Sequence, residues 1–286
     1  MRNLRRSGAI LGAVVLALAG SVTIGGPAAA AVSAVTTTTV IGASDSTAVK
    51  TVVASCPAGK RILGGGGEIG GGSFTTTAHI GITELRPVTS GTGDAYEVSA
   101  SEDQVGEPGN WSLTAHAICA NPVPGLQIVT AVRAQPPTSD AFQQGGAQCP
   151  SGTNLIGTGG RVEGGEGQVR MNTAARQFPA STLLNASEDA DGFAGTWFLI
   201  GYAVCVPTTA DLQVVRADSI PESTPVAVQS ASASCPAGMV VTDAAGEAFN
   251  GRTAMIVRPF ATRVDVIANS VVPTEGPVRA YAICSR

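Results

Sequence analysis

A short cysteine-containing motif occurs three times in this chain, and it limits the folds that the chain can adopt. The motif has the form Cys-Pro-x-Gly and is followed each time by a segment rich in glycine or alanine. A matching segment that carries a second cysteine closes each unit. The six cysteines are Cys56, Cys119, Cys149, Cys205, Cys235 and Cys284. Because self-similarity at a regular period marks copies of one supersecondary unit, the sequence predicts three tandem repeats.

The repeats cover the whole chain after its N-terminal segment. We place repeat 1 at residues 32–123, repeat 2 at residues 124–209 and repeat 3 at residues 210–286. Similar segments open repeats 2 and 3, at residues 125–129 and 211–215, so no long linker separates the copies. Repeat 3 is the most divergent copy, since it lacks the glycine run and the tryptophan of the other two.

The local pattern within a repeat is that of β-strands. Trp111, Leu113 and Ala115 share one face of an alternating segment, and the polar residues between them share the other. Period-two alternation marks a half-buried strand, and the Cys-Pro-x-Gly sites have the residues of turns. The chain contains 36 glycines and 17 prolines, and only 13% of its residues are charged. We therefore predict an all-β fold with five or six short strands in each repeat.

The cysteines allow two pairing schemes that respect the threefold pattern. Pairing within the repeats gives Cys56–Cys119, Cys149–Cys205 and Cys235–Cys284; pairing across the joints gives Cys119–Cys149, Cys205–Cys235 and Cys56–Cys284. We favour the first scheme because it ties the opening strand of each repeat to its closing strand. Each bond then closes a loop of about fifty to sixty residues, a constraint that contributes about 4 kcal/mol in the chain-entropy model.

The N-terminus has the features of a secretory signal peptide. Three arginines precede an apolar stretch from Ala9 to about Ile24, and a run of alanines ends at Ala31. This arrangement predicts that residues 1–31 are a signal peptide, cleaved after Ala30 or Ala31, and that the protein is secreted. Cleavage moves the formal charge from −4 to −7, since the segment holds three arginines and no acidic residue. An acidic chain without basic clusters is not typical of nucleic-acid or membrane binding.

The Cys-Pro-x-Gly turn, the glycine-rich strand after it and the closing strand that ends in cysteine resemble the repeats of the vitelline membrane outer layer protein family. That family forms a β-prism, in which three Greek-key sheets surround a pseudo-threefold axis. Its members are extracellular and include a structural coat protein, and related prism folds occur in lectins. The sequence is also similar to uncharacterised secreted proteins of actinobacteria. The resemblance implies a single pseudo-threefold β-prism. Three small β-sandwich-like domains are the alternative, although units of this size are marginally stable alone.

Candidate catalytic groups are few. His79 and His116 are the two histidines, and neither belongs to a metal-binding or protease motif. Ser73 follows two glycines but lacks the nucleophile-elbow pattern. The acidic residues at 102–103 and 188–191 lie near turns of repeats 1 and 2, and we expect solvated turns there rather than Ca²⁺ sites. We therefore predict a non-enzymatic protein with no catalytic residue, no bound metal and no cofactor.

Three residues at equivalent positions of the closing strands are the candidate ligand-binding residues: His116, Tyr202 and Tyr281. An aromatic side chain exposed on each sheet suits a multivalent sugar binder, because sugar C–H faces stack on rings and weak sites combine by avidity. In the alternative interpretation these three rings fill the interior, and Trp111 and Trp197 face outward.

These observations leave three functional hypotheses. We expect a secreted, monomeric, non-enzymatic module that binds a glycan or cell-wall polymer, or that serves as a structural surface protein. A protease inhibitor is the first alternative, with residues 105–110 as the longest candidate loop. An extracellular hydrolase that depends on His116 is the second.

Overall fold

The computed structural model describes residues 32–71, 79–90, 93–132, 138–178, 180–207, 211–219, 226–249, 254–274 and 276–286. Within these ranges every regular element is a β-strand, so the prediction of an all-β fold is confirmed. The predicted signal peptide, residues 1–31, and Ser73 lie outside the described residues.

Six strands fall within each repeat. Those of repeat 1 are β1 (Thr36–Ile41), β2 (Val49–Ser55), β3 (Arg61–Gly70), β4 (Ile80–Ser90), β5 (Gly93–Glu102) and β6 (Ser112–Ala120). Those of repeat 2 are β7 (Gln127–Val132), β8 (Phe142–Gly145), β9 (Thr153–Glu163), β10 (Val169–Phe178), β11 (Ser181–Glu188) and β12 (Phe198–Pro207). Those of repeat 3 are β13 (Gln213–Asp218), β14 (Val226–Ser234), β15 (Val240–Ala248), β16 (Ala254–Pro259), β17 (Arg263–Thr274) and β18 (Val278–Ser285).

The strands form three six-stranded antiparallel sheets, and each sheet takes three strands from each of two repeats. Sheet I has the order β1-β6-β3-β16-β17-β14, sheet II the order β13-β18-β15-β10-β11-β8, and sheet III the order β2-β5-β4-β9-β12-β7. The third strand of every repeat pairs with the fourth strand of another repeat, and the three junctions close a ring. This pseudo-threefold arrangement excludes the alternative of three separate small domains, because no repeat contains a complete sheet.

Glycines allow the close approach at each junction. The pairs across the three junctions include Gly67 with Val257, Gly160 with Leu85, and Gly246 with Ala174. A Cβ atom on Gly66 would lie 2.3 Å from the carbonyl oxygen of Val257, and one on Gly159 would lie 2.6 Å from that of Leu85. Any larger residue would push the two strands apart. The glycine runs therefore serve close strand packing.

Each disulfide joins two sheets. The bonds are Cys56–Cys119, Cys149–Cys205 and Cys235–Cys284, which confirms pairing within the repeats. In repeat 1, for example, Cys56 follows β2 of sheet III and Cys119 lies in β6 of sheet I. The other two bonds link sheet II to sheet III and sheet I to sheet II in the same way. Three disulfides are typical of a protein from an oxidising compartment.

A buried carboxylate lies where the three repeats meet. Asp243 is fully buried, and its carboxylate accepts hydrogen bonds from the backbone amides of Gly65 (3.1 Å) and Thr158 (2.9 Å). The hydroxyl of Thr158 donates to the same carboxylate at 2.8 Å, and the amide of Ala244 lies close enough to contribute. One backbone amide from each repeat therefore points at Asp243. Burial raises the pKa of Asp243 to about 8, although these hydrogen bonds oppose the shift.

Repeats 1 and 2 have glycine where repeat 3 has this acid. Gly64 pairs with Ile118 and Gly157 with Val204, just as Asp243 pairs with Ile283 in the third closing strand. A Cβ atom on Gly64 would lie 2.1 Å from Oδ1 of the carboxylate. Gly64 thus leaves the space that the acidic side chain occupies, whereas the space beside Gly157 is taken by the backbone carbonyl of Leu63.

Candidate functional site

The three candidate ligand-binding residues lie in different sheets. His116 pairs with Gly66 in sheet I, Tyr202 with Gly159 in sheet III, and Tyr281 with Ala245 in sheet II. Their positions are equivalent, as the alignment of the repeats predicts. The fold does not bring them together, and each makes its contacts with residues around its own sheet.

In sheet I the imidazole of His116 is buried among polar partners. The residue is 5% exposed, its Nε2 lies 2.6 Å from a Glu68 carboxylate oxygen, and its Nδ1 lies 2.9 Å from the hydroxyl of Thr39. Arg258 pairs with the other oxygen of Glu68. Burial opposes ionisation of Glu68, but the hydrogen bonds from His116 and Arg258 lower its pKa to about 2. Both imidazole nitrogens therefore already have partners.

In sheet III the ring of Tyr202 lies in a network of ion pairs. The residue is 7% exposed, and burial raises the pKa of its hydroxyl. Arg86 beside it pairs with Glu84 at 2.7 Å and with Glu97 at 2.5 Å. The side chains that surround Tyr202 leave little of its ring open to a ligand.

In sheet II the ring of Tyr281 is only partly buried. Its hydroxyl donates to Glu247 at 2.8 Å, and burial together with this hydrogen bond raises the pKa of Tyr281 to about 12. Arg279 pairs with the same carboxylate at 3.0 Å. The strand register places Ala175 where sheets I and III have Arg258 and Arg86, so sheet II lacks the arginine that fills this place in the other two.

The two tryptophans do not face outward, so that part of the alternative interpretation is wrong. Trp111 and Trp197 are fully buried in the core. Their indole N–H groups donate to Glu102 (2.7 Å) and Glu188 (3.1 Å), the first residues of the acidic turns. These glutamates are the last residues of β5 and β11, and they satisfy the one polar atom of each buried indole.

The acidic turn of repeat 1 is not simply solvated, contrary to expectation. The side chain of Asp103 is 6% exposed and accepts from Nδ1 of His79 at 2.9 Å and from Arg170 of repeat 2 at 2.6 Å. Burial opposes its ionisation, but these two partners hold the pKa of Asp103 below its usual range. The turn therefore joins two repeats. Its second carboxylate oxygen accepts from the amides of Val105 and Gly106, which fixes the loop that follows.

A groove of about 410 Å³ opens on sheet II, near Tyr281. It lies where strands of repeats 2 and 3 adjoin, and its lining combines aromatic, amide, hydroxyl and carboxylate side chains. The lining residues are Phe142, Asn172, Thr173, Asn185, Ser187, Glu188, Glu247, Ala248 and Phe249. Its volume is within the range of small-molecule sites, roughly 300–1,000 Å³.

Strand ends and one irregularity place the groove's side chains. Phe142 is the first residue of β8, the edge strand of sheet II, and is 53% exposed. Asn172 is the extra residue at a register shift in β10, and its amide donates to the Ser187 hydroxyl at 3.0 Å. Such bulges redirect side chains and occur often beside binding sites. Phe249 directly follows β15, and the guanidinium of Arg279 lies 4.5 Å from the centre of its ring.

The two carboxylates of the groove already have hydrogen-bond donors. Glu188 accepts from the Trp197 indole with one oxygen and from the amide of Phe193 with the other, at 3.0 Å. Glu247 accepts from Tyr281 and pairs with Arg279. The amides of Asn172 and Asn185 each donate one hydrogen bond within the sheet, and an amide has further donor and acceptor capacity for a ligand.

Most of these groove residues were missed by sequence reasoning. Comparison of equivalent positions in the three repeats points to Tyr281, which lies beside the groove. It does not point to the residues that line the groove, because these are specific to sheet II. Phe142 pairs with Ser187 as Val49 pairs with Ser101 in repeat 1, so an aliphatic residue stands in the equivalent place. A signal was present in the sequence: Phe142 and Phe249 are two of only seven phenylalanines in the chain.

Other kinds of site receive no support from the described ranges. No group of three or more His, Cys, Asp or Glu side chains is arranged there to hold a metal ion. Among the same residues, no helix is long and apolar enough to cross a membrane. Comparison with known proteins gives no family model that matches this chain and no curated protein that is significantly similar to it.

Proposed function

We propose that this protein is an extracellular, non-enzymatic module that binds a glycan or cell-wall polymer through the groove of sheet II. The observation that carries the proposal is the combination of exposed Phe142 with the amides of Asn172 and Asn185 in one open groove. Aromatic rings stack on the C–H faces of sugars, and amide side chains hydrogen-bond their hydroxyl groups. A few placed polar groups beside an apolar wall are the usual composition of a small-ligand site.

The remaining parts of the proposal concern location and architecture. The three disulfides and the pattern of residues 1–31 support secretion after removal of a signal peptide. The pseudo-threefold ring of sheets supports a β-prism. In the groove, the hydrogen bonds and ion pair that Glu188 and Glu247 already make within the protein support a binding role, since a catalytic acid or base needs access to the proton that it transfers.

Sedimentation with insoluble polymers tests the proposed function. The mature protein is mixed with peptidoglycan, chitin or cellulose, and the fraction that remains in solution is measured. We expect retention on at least one polymer, and a loss of affinity of about 3- to 10-fold for Phe142→Ala, the cost of removing one aromatic contact. Val49→Ala is the matched control, because it changes the equivalent, 61% exposed position of repeat 1. Absence of retention on every polymer would refute the proposal.

A protease inhibitor is the second candidate, and one observation favours it. Val105 is 67% exposed at the tip of a loop, and the carboxylate of Asp103 holds the amides of Val105 and Gly106 at 2.9 and 3.1 Å. A preorganised exposed loop loses little entropy when a protease binds it. Inhibition assays against serine, cysteine and metalloproteases test this candidate, and a lack of inhibition in all three classes would dismiss it.

A further inference from the structure

A second depression lies beside the groove on the same edge of sheet II. Its volume is about 400 Å³, and its lining is formed by the end of β8, the residues after it and the start of β11. The lining residues are Gln144, Gly145, Gly146, Ala147, Gln148, Ser181 and Thr182. None of these residues carries a charge.

The two depressions adjoin at one hydrogen-bonded pair. The side-chain amide of Gln144, which lines the second depression, donates to Asn185, which lines the groove, at 3.1 Å. Both depressions follow β8 along the sheet edge, from Phe142 at one end to Gln148 at the other. The six residue-to-residue steps from Phe142 to Gln148 span roughly 20 Å in an extended chain. The two depressions therefore form one elongated track, with the Gln144–Asn185 pair near its middle.

The charge of the track limits the ligands that it can take. Two carboxylates line the groove, the guanidinium of Arg279 next to it pairs with Glu247, and the residues that line the two depressions include no arginine or lysine. The mature chain is itself acidic, with a formal charge of −7 once the three arginines of residues 1–31 are subtracted from −4. An acidic polymer would be repelled, whereas uncharged hydroxyl groups would meet amides, hydroxyls and one exposed ring.

We propose that sheet II binds a linear, uncharged polysaccharide chain that lies along β8 and occupies both depressions. This inference rests on the proposed function and adds the class of ligand and its direction. Phe142 stacks on one sugar ring in the groove, and Gln148 and Ser181 hydrogen-bond sugars at the other end. Because both contacts act on one chain, the second is made at high effective concentration, and long chains bind more tightly than short ones.

Binding measurements with oligosaccharides of increasing length test the inference. The probes are chitin and cellulose oligomers, with oligogalacturonates of the same lengths as acidic counterparts, measured by isothermal titration calorimetry. We expect affinity to rise with length until the oligomer reaches roughly 20 Å, and then to level off. Acidic oligomers of equal length should bind at least 10-fold more weakly than neutral ones, roughly the cost of like-charge contacts.

Two variants test the contributions of the two ends of the track separately. Gln148→Ala should lower the affinity for long oligomers by about 5-fold, the usual effect of one lost hydrogen bond, and leave the shortest binding oligomer unaffected. Phe142→Ala should weaken oligomers of every length. Ser55→Ala is the matched control, since Ser55 precedes the first cysteine of repeat 1 as Gln148 precedes that of repeat 2.

The outcomes distinguish this inference from the proposed function. Retention on polymer that depends on Phe142, together with no effect of length or of Gln148→Ala, overturns the track and leaves the groove as a single site. Stronger binding of acidic oligomers overturns the assignment of an uncharged ligand. Failure of every polymer and oligomer to bind overturns both proposals.

Discussion

The buried carboxylate of Asp243 lies where the three repeats meet, and because of it we predict that the protein loses stability as the pH rises. Asp243 is fully buried and faces backbone amides, and no cation lies among its described hydrogen-bond partners. Burial raises its pKa from 3.8 to about 8. A group whose pKa is higher in the folded state binds its proton more tightly there. Its full contribution to stability is present below pH 4 and is lost progressively up to pH 8.

The size of the effect follows from the shift. One pKa unit corresponds to about 1.4 kcal/mol, so a shift of about four units corresponds to a loss on the order of 5 kcal/mol between pH 4 and pH 9. Asp243→Asn removes the titration. In the wild type the backbone N–H of Thr158 donates to the acid. The substitution turns an amide N–H towards this donor, and the lost hydrogen bond should lower the stability of the variant by about 1–3 kcal/mol. The wild type should thus be more stable than the variant at pH 4 and less stable at pH 9.

Urea unfolding at several pH values between 4 and 9 measures this difference. The two proteins are compared at each pH, with disulfides intact, so that the titration of other groups cancels in the difference between their free energies of unfolding. Asp140→Asn, at an exposed position, serves as the control and should follow the wild-type curve. The reasoning is refuted if the difference between wild type and Asp243→Asn stays constant from pH 4 to 9. It is also refuted if the wild type gains stability relative to the variant as the pH rises, because the amides would then be stabilising the ionised form.

Three further predictions follow from other parts of the fold. Gly157→Ala should destabilise the protein by more than about 3 kcal/mol in the same urea assay, because the new Cβ would lie 1.7 Å from the carbonyl oxygen of Leu63; an effect below about 1 kcal/mol would contradict that packing. Replacing Cys235 and Cys284 together by serine should cost about 4 kcal/mol, the value for the closed loop between them, and an unchanged midpoint of thermal unfolding would contradict it. Tyr281→Phe should weaken polymer retention by about 3-fold because Glu247 loses a hydrogen bond beside the groove, whereas His116→Asn in sheet I should leave retention unchanged; the reverse pattern would place the binding site in sheet I.

The repeats and the disulfides could be predicted because short local segments of the sequence determine them. A Cys-Pro-x-Gly turn and a closing strand that ends in cysteine are short segments that can be aligned directly, and the pairing within repeats followed from that alignment. The number of strands in each repeat was also accessible from alternation. The pairing of β3 with β16, which closes the ring, joins Gly67 to Val257 and therefore repeat 1 to repeat 3. The sequence of neither strand identifies the other as its partner, because backbone hydrogen bonds do not depend on the identity of the side chains.

The candidate site was harder to predict because it depends on differences between the repeats. Aligning equivalent positions selects what is shared, and it led to His116, Tyr202 and Tyr281. Two of these are almost fully buried among polar side chains. Burial of this kind depends on which side chains a neighbouring repeat brings across a junction, as Arg258 reaches Glu68 beside His116. An alignment of the repeats with one another does not contain that information.

The same comparison explains why an open groove occurs in sheet II. At the junctions of sheets I and III, an arginine of the fourth strand pairs with carboxylates on the sheet surface: Arg258 with Glu68, and Arg86 with Glu84 and Glu97. At the junction of sheet II the equivalent residue is Ala175, so the carboxylate of the neighbouring repeat takes its partners from its own repeat instead. In sheet I the arginine thus makes an ion pair across the junction, and in sheet III it pairs with two acids of its own repeat. In sheet II the place of the arginine is taken by alanine, and the exposed ring of Phe142 lines the groove nearby. The residue that differs at this junction, Ala175, belongs to repeat 2, which also supplies six of the nine residues that line the groove, and repeat 3 completes the lining with Glu247, Ala248 and Phe249.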